Sequence, residues 1–282
     1  MNRWSSYLAI GDSFTEGLED PAPDGGYLGW ADRLAAMLAA HSPGLRYGNL
    51  AVRGKMMDEI VSEQVPQAVR ARPDLVTISA GGNDVITPGS DVDAVVEQFD
   101  QAVAALRRAG SDVVVFTGPD TRKTPVLRRV RTKVAVYNCH LWTIANRHGC
   151  RMVDLWGMRV LQDPRAWNSD RLHLSPLGHH RVALRAAEVL GVPTVERWNT
   201  PWPPAQEPRW LTLRREDLEW TRMYLLPWVR RQLRGESLGD GLLPKRPTLE
   251  QLSLSQNGAA AQNGAAQAQE GVSGRQEVAR QG

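Results

Sequence analysis

The chain has 282 residues with a formal net charge of +3, and hydrophobic residues make up 42% of it. This apolar content is enough for a folded core, and the small net charge without a basic stripe argues against a nucleic-acid partner. Its two cysteines, Cys139 and Cys150, exclude a disulfide framework and fit no zinc motif, and their apolar neighbours predict buried free thiols. No segment resembles a membrane span or a secretory signal, so we expect a cytoplasmic protein.

Short apolar runs alternate with helical patterns over the first 192 residues. The apolar runs are typical of strands buried on both faces and cover residues 7–10, 45–50, 74–79, 112–117 and 151–155. Helical spacing covers residues 30–40, 56–69 with an interruption at Pro66, 92–109, 127–148 and 176–190. Strands that alternate with helices favour parallel pairing through right-handed crossovers. The pattern predicts an α/β fold, namely a three-layer α/β/α sandwich around a five-stranded parallel sheet.

Two segments with a different composition follow this predicted 1–192 domain. Residues 193–254 form an extension rich in Trp and Arg, with helical spacing over 214–234 that Pro227 must kink or end. Its tryptophans and basic residues could make peripheral contact with an anionic membrane through 198–234. Packing back on the domain is the favoured alternative, because Trp and Leu stripes are usually buried. Residues 255–282 are of low complexity and predict a disordered tail.

Candidate reactive groups follow four of the five predicted strands. Ser13 follows the first strand, Gly54 the second and Asn83 the third, and Asp170 and His173 follow the fifth. The carboxyl ends of parallel strands meet at one edge of the sheet, where ligands bind, so we expect these residues to lie close together. A hydrolytic serine needs a base, an acid that orients the base, and donors for an oxyanion. The five residues supply these groups.

Each of these residues also has a purely structural interpretation. Ser13 could cap a helix, Gly54 could serve a turn, and Asn83 could cap a loop. The spacing of Asp170 and His173 favours chemistry, because a carboxylate three residues before a histidine can accept from its Nδ1–H. The Nε2 atom is then the acceptor that faces Ser13.

Other acidic and histidine residues near these segments are predicted to be structural. Asp12 and Asp84 are interpreted as hydrogen-bonding partners of their loops. His179 and His180 look like a metal pair only superficially, because adjacent residues of a helix do not face one another. We therefore expect no metal site.

Four segments together resemble the four blocks of the GDSL-type, or SGNH, hydrolases, over about residues 5–192. The segments are Gly11-Asp12-Ser13-Phe14, Asn49-Leu50-Ala51-Val52-Arg53-Gly54, Gly81-Gly82-Asn83-Asp84 and Asp170-Arg171-Leu172-His173. The resemblance implies a flavodoxin-like sandwich and esterase or acylhydrolase chemistry that uses no cofactor. It departs from the family name only at Phe14, which stands where that name has leucine.

The resemblance also implies a role for each candidate residue. Ser13 would be the nucleophile, His173 the base and Asp170 its partner. The backbone N–H groups of Ser13 and Gly54 and the amide of Asn83 would form the oxyanion hole. The resulting hypothesis is a serine esterase that cleaves a small-molecule acyl ester through an acyl-enzyme. The alternative is a non-catalytic or membrane-associated binding or scaffold protein on the same fold. Lipid esters, thioesters and O-acetylated sugars all stay open as substrates.

Overall fold

The computed structural model of the protein describes residues 4–124, 127–204, 239 and 241–252. Within these residues a six-stranded sheet has the strand order β5-β4-β3-β1-β2-β6. The strands are β1 (Ser6–Gly11), β2 (Arg46–Asn49), β3 (Leu75–Ser79), β4 (Asp112–Phe116), β5 (Arg151–Val153) and β6 (Arg246–Gln251). The first five strands run parallel, and the register places Tyr7 of the central β1 beside Tyr47 on one side and Leu75 on the other.

Helices of very different lengths connect the strands. They are α1 (Ser13–Glu16), α2 (Gly29–His41), α3 (Met57–Glu59), α4 (Val65–Ala71), α5 (Gly82–Ile86), α6 (Val92–Arg108), α7 (Arg131–His148) and α8 (Pro176–Leu190). Several ends follow from local chemistry: Asp91 caps α6, Ser175 caps α8 ahead of Pro176, and Gly149 ends α7 in a left-handed conformation.

Two predicted helices differ from those in the structure. The helix expected over 127–148 begins as a 3₁₀ turn, Leu127–Val130, before α7. The helix expected over 56–69 is divided by a π-helical turn, Ile60–Gln64, in which the Val65 N–H bonds to the carbonyl of Ile60. Pro66 has no N–H to donate, and it lies in the first turn of α4 where none is needed.

The sheet separates two apolar cores, as expected for a three-layer sandwich. Successive β1 residues point to opposite faces, so Tyr7 and Ala9 join one core while Leu8 and Ile10 join the other. Helices α2 and α8 cover the first face, and α4, α6 and α7 cover the second. The predicted fold class is therefore confirmed.

The predicted count of five strands is wrong, because β6 pairs antiparallel with β2 and forms a sixth strand at the edge. It lies within the 193–254 segment for which the sequence predicted only a helix. Its sequence is polar and contains Pro247, as is typical of an edge strand with one unpaired side.

Part of the Trp- and Arg-rich extension lies against the α/β fold. The ring of Trp202 packs against the guanidinium groups of Arg165 and Arg181, which lie 5.2 and 5.0 Å from its centre. Trp198 packs against Arg185 in the same way and donates from Nε1 to Glu188. These two tryptophans therefore follow the favoured interpretation, packing on the fold. The predicted helix over 214–234, with most of the proposed membrane segment, and the tail at 255–282 lie outside the described residues.

Two further predictions concern the cysteines and membrane spans. Both cysteines are free, but Cys139 is exposed and Cys150 is only partly buried, so the expected full burial is wrong. Cys139 lies on a face of α7 that points away from the core. Within the described part of the chain, no helix is both long and apolar enough to cross a bilayer.

Candidate active site

Ser13 lies directly after β1, at the first position of the short helix α1. The carboxylate of Asp12 caps this helix by accepting from the Phe14 N–H at 3.0 Å. Gly11 precedes the cap with a φ of 149°, and a Cβ there would lie 2.2 Å from the carbonyl oxygen of Ser79. Only glycine fits this tight exit from the sheet, which leaves Ser13 at the carboxyl edge of the strands.

The structure brings Ser13, His173 and Asp170 together. The Ser13 Oγ lies 3.0 Å from Nε2 of His173, and the His173 Nδ1 lies 2.6 Å from Oδ2 of Asp170. With Nδ1–H donating to the carboxylate, the Nε2 lone pair faces the serine hydroxyl. Both side chains of the histidine–aspartate pair are largely buried, at 15% and 13% exposure.

The Asp170 carboxylate is held ionised by its surroundings. Burial raises its pKa, but the hydrogen bond and charge of His173 and two backbone N–H groups outweigh burial and bring the pKa below its ordinary value. These N–H groups belong to Leu172 and His173 and donate to Oδ1 at 3.0 Å. The other oxygen, Oδ2, is thereby directed at the imidazole.

The loop that carries this pair is a compact turn stabilised by its own backbone. The Asn168 N–H donates to the carbonyl of His173, and the Arg171 N–H donates back to the carbonyl of Asn168, both at 2.9 Å. Arg171 has a φ of 54°, in the left-handed region that non-glycine residues seldom occupy. This turn brings the side chains of Asp170 and His173 into contact over only three residues.

Asn83 lines the same cavity as Ser13 and His173, whereas Gly54 is not among the lining residues and is connected to Asn83 through its neighbour Lys55. The Asn83 Nδ2 donates one hydrogen to the carbonyl of Lys55 at 3.0 Å, which leaves its second hydrogen for another acceptor. Gly54, the residue before Lys55, has a φ of 77°. Within the part of the chain that the structure describes, the N–H groups of Ser13 and Gly54 donate to no protein acceptor. The N–H groups of Ser13 and Gly54 and one hydrogen of the Asn83 amide are therefore not used by described protein acceptors.

Two buried carboxyls, Asp12 and Asp84, are the sequence neighbours of Ser13 and Asn83. Burial raises the pKa of each to about 6. The hydrogen bond from the Phe14 N–H and the charge of His173 limit the rise at Asp12, and the Met57 N–H does so at Asp84. Both bond to neighbouring backbone, as expected for structural residues. Asp12 also places a negative charge near His173 at neutral pH.

A cavity of about 170 Å³ opens beside Ser13, Asn83 and His173. Its lining is mainly apolar and includes Phe14, Leu18, Val85, Ile86, Phe116, Tyr137, Leu155 and Leu174. A cavity of this size holds on the order of one benzene-sized apolar group. The site therefore combines a polar reactive edge with an apolar recess.

Three polar side chains that sequence reasoning missed hold the segments around Ser13. Gln64 of the π-helical turn is buried, accepts from the Gly11 N–H at 2.8 Å and donates to the Gly11 carbonyl at 2.9 Å. Asn49 donates to the carbonyl of Thr15 at 3.0 Å. The Glu16 carboxylate accepts from the Arg53 N–H at 2.8 Å. Asn49 belongs to one of the motif segments quoted above, but no sequence signal singles out Gln64 or Glu16.

His179 and His180 have different surroundings, and neither joins the reactive group. His179 is buried, which lowers its pKa to about 4, and it accepts from the Trp30 N–H and bonds to the Leu18 carbonyl. His180 pairs with Glu196. Among the described residues, no group of three or more His, Cys, Asp or Glu side chains could hold a metal ion.

Solved structures with a similar fold include three hydrolytic enzymes. An α/β hydrolase from the metagenome of Lake Arreo, Spain, is 24% identical, with a TM-score of 0.58 over 67% of this chain and 95% of its own. An acetylxylan esterase from Geobacillus stearothermophilus is 20% identical, with a TM-score of 0.55 over 69% and 95%. A psychrotrophic esterase from Pseudoalteromonas is 14% identical, with a TM-score of 0.53 over 66% and 97%. At these identities the likeness shows a common fold.

The sequence comparison adds the family. A search of curated proteins found no match. The sequence profile of the GDSL-like lipase/acylhydrolase family, in contrast, matches residues 9–181, which is more than half of the chain and includes Ser13, Gly54, Asn83, Asp170 and His173. The chain therefore belongs to the GDSL-like lipase/acylhydrolase family.

Proposed function

We propose that the protein is a serine esterase that cleaves carboxylic esters with Ser13 as nucleophile, His173 as general base and Asp170 as the partner of the base. One observation carries this proposal: a continuous line of hydrogen bonds runs from Ser13 Oγ through both ring nitrogens of His173 to Asp170. A serine activated by an oriented, neutral imidazole is the arrangement that acyl transfer needs.

The reaction divides into two similar halves. Ser13 Oγ bonds to the ester carbonyl carbon while its proton moves to Nε2 of His173. The tetrahedral intermediate then breaks its bond to the alcohol oxygen, and His173 gives that oxygen the proton. A water molecule attacks the acyl-enzyme in the same way, so the acid is released and Ser13 regains its proton. Asp170 holds the tautomer and stabilises the imidazolium in both halves.

The negative oxygen of each intermediate needs donors that are already in place. The N–H groups of Ser13 and Gly54 and the free hydrogen of Asn83 Nδ2 are proposed for this role. Such preorganised donors usually contribute more to the rate than any other single group. Their availability within the described structure supports the assignment.

The lining of the cavity supports an apolar acyl group in the substrate. An acetyl group would leave much of the space beside Ser13 unfilled, whereas a longer acyl chain would bury apolar surface against Phe14, Val85 and Ile86. We therefore favour esters or thioesters of short- to medium-chain acids. The protein of similar fold from Geobacillus stearothermophilus is an acetylxylan esterase. An acetylated sugar is therefore the competing substrate class for this protein.

The test compares Ser13→Ala with Ser62→Ala, since Ser62 is an exposed serine away from the cavity. We expect the wild type and Ser62→Ala to hydrolyse a p-nitrophenyl ester and to react with a fluorophosphonate probe, and Ser13→Ala to do neither. Circular dichroism checks that both variants are folded. Turnover by Ser13→Ala at the wild-type rate would contradict the role of Ser13, and a wild type with no turnover would contradict the proposal and favour the scaffold alternative.

Chain length is tested with p-nitrophenyl esters from acetate to dodecanoate, together with an acetylated xylo-oligosaccharide. We expect kcat/KM to rise from acetate to a maximum at an intermediate chain and to fall once the cavity is filled. A maximum at acetate, with faster turnover of the acetylated sugar, would contradict the acyl assignment but leave the role of Ser13 in place.

A further inference from the structure

The C-terminal segment enters the site from outside the family match. Residues 239 and 241–252 lie beyond residue 181, where the family profile ends. Within this segment Lys245 comes directly before β6, and β6 extends along β2, whose far end leads into the loop that carries Gly54. Two contacts of the segment reach the helix that begins with Ser13 and the residue before Gly54.

The first contact is the ammonium group of Lys245. Its Nζ lies within hydrogen-bond distance of four oxygens: the carbonyls of Glu16 (2.5 Å), Tyr27 (2.9 Å) and Leu28 (2.7 Å) and the carboxylate of Asp32 (2.5 Å). Glu16 is the last residue of α1, the four-residue helix that begins with Ser13. Lys245 thus fixes the end of the nucleophile helix to the start of α2.

The backbone around this ammonium is tightly closed. Gly17 and Gly29 pack against each other, and a Cβ on Gly17 would lie 2.5 Å from the Gly29 Cα. Carbonyls from both sides of this crossing converge on Lys245, and an ammonium with three donors can hold them together. The buried Asp32 supplies the opposite charge. The lysine therefore holds the backbone of Glu16 close to that of Tyr27 and Leu28, and Glu16 belongs to the same short helix as Ser13.

The second contact is on the loop that precedes Gly54. A Cβ on Gly239 would lie 2.1 Å from the carbonyl oxygen of Arg53 and 2.9 Å from a methyl group of Val52. Arg53 is also held by Glu16, whose carboxylate accepts from both its backbone N–H and its guanidinium. The same C-terminal segment therefore contacts α1, which begins with Ser13, and the loop just before Gly54. Glu16 links this helix to this loop through its bonds to Arg53.

We propose that Lys245 and Gly239 are positioning residues, through which the C-terminal segment sets the distance between Ser13 and the Gly54 N–H in the transition state. The inference rests on the proposed roles of Ser13 and Gly54. It assigns a catalytic contribution to a part of the chain that lies outside the matched family region. A displacement of about 1 Å at a reacting group can cost roughly 10²-fold in rate.

The main test is Lys245→Met, with Arg246→Met as its matched control. Arg246 also pairs with Asp32, at 3.5 Å, but Lys245 alone of the two bonds to the carbonyls of Glu16, Tyr27 and Leu28. We expect both variants to lower the Tm. Only Lys245→Met should lower kcat, by about 10- to 100-fold, with little change in KM, since the donors act mainly in the transition state.

A double variant separates positioning from charge balance. Lys245→Met leaves Asp32 buried without its closest cation, which by itself destabilises the fold. Combining it with Asp32→Asn removes this penalty, so we expect the Tm to recover while kcat stays low. Recovery of kcat together with the Tm would overturn the inference, because Lys245 would then act only by neutralising Asp32.

Gly239→Ala tests the second contact independently. The new methyl group must displace the Arg53 carbonyl, so we expect kcat to fall by about tenfold or more. Gly241→Ala is the control, since a Cβ there meets no atom within 4 Å and strains only its own backbone. Wild-type kcat in both Lys245→Met and Gly239→Ala, in an enzyme whose wild type is active, would overturn this inference alone. A wild type without esterase activity would overturn the proposed function instead.

Discussion

The two sides of Ser13 are organised by contacts of very different range. On the side of the proposed base, the bonds between Asn168, Asp170 and His173 lie within six residues of the chain, and the Asn168 amide adds one bond to the distant Glu19. On the oxyanion side, the bonds join residues far apart in sequence: Glu16 to Arg53 over 37 positions, Asn83 to Lys55 over 28, and Lys245 to Glu16 over 229. The base side is therefore formed mainly by local bonds, whereas the oxyanion side depends on contacts across the complete fold.

The largest expected effect is on the local side, from Asp170→Asn. The asparagine Oδ1 can still accept from the Leu172 and His173 N–H groups, so the turn persists. Its amide, however, donates to Nδ1 where the carboxylate accepted, which fixes the wrong tautomer. We expect kcat to fall on the order of 10⁴-fold with an unchanged circular dichroism spectrum.

The control for this variant is Asp163→Asn. Asp163 caps the turn Pro164–Ala166 and pairs with Arg165, in the same region but outside the cavity. It should lower the Tm slightly and leave kcat unchanged. Similar kcat values for Asp170→Asn and wild type would show that Asp170 shapes the loop without contributing to catalysis.

A smaller loss is expected on the long-range side, from Asn83→Ala. This change removes one proposed oxyanion donor and also the bond to the Lys55 carbonyl. We expect kcat to fall about 10²- to 10³-fold and KM to change little, as measured by steady-state kinetics. Thr87→Val is the control, because it deletes only a hydrogen bond to the Asn83 carbonyl, at 2.7 Å, and leaves the amide in place. An equal loss of kcat in both variants would show that a general disturbance of helix α5, and not the loss of the Asn83 amide, lowers the rate.

The smallest effect concerns Asp12, which lies between the two sides. Burial raises its pKa from 3.8 to about 6, although the Phe14 N–H and the charge of His173 oppose the rise. Between these pH values the native state binds more protons than the unfolded state, so this carboxyl lowers stability as pH increases through the window. At pH 7 the cost is about 3 kcal/mol.

Asp12→Asn keeps the helix cap and removes this cost. We expect a higher free energy of unfolding at pH 7, no difference from wild type below about pH 4, and a kcat a few-fold lower, because the imidazolium loses a nearby negative charge. Denaturant titrations at both pH values measure the difference in free energy of unfolding between the variant and wild type. His179 has the opposite pH dependence, but it is present in both proteins, so its contribution cancels in this difference. An equal difference at the two pH values would exclude titration of Asp12 as the cause.

The same contrast in range explains what could be predicted from the sequence. The five parallel strands depend on apolar periodicity and were anticipated, and the caps at Asp91 and Ser175 depend equally on local hydrogen bonds. Asp170 and His173 face each other across a turn that their spacing already suggests. Each of these features is decided within a few residues of the chain.

Features that depend on distant partners could not be predicted in this way. The sequence of β6, with Pro247 and two charged residues, has no strand periodicity and is recognisable only beside β2. Lys245 is an ordinary surface residue by composition, and its four oxygen partners come from segments more than 200 residues earlier. Gln64 reaches Gly11 only because the helix widens into a π turn ahead of Pro66.

The position of β6 late in the chain, far after β2, also sets an order of events during synthesis. Strand β2 is translated about 200 residues before the strand that covers it, which at roughly 5–20 residues per second is a delay of about 10–40 s. Throughout that interval the edge of β2 has no partner from this chain, and Asp32 lacks its lysine. The nascent protein therefore already contains Ser13, Asp170 and His173 before β6 is synthesised and joins the edge of the sheet.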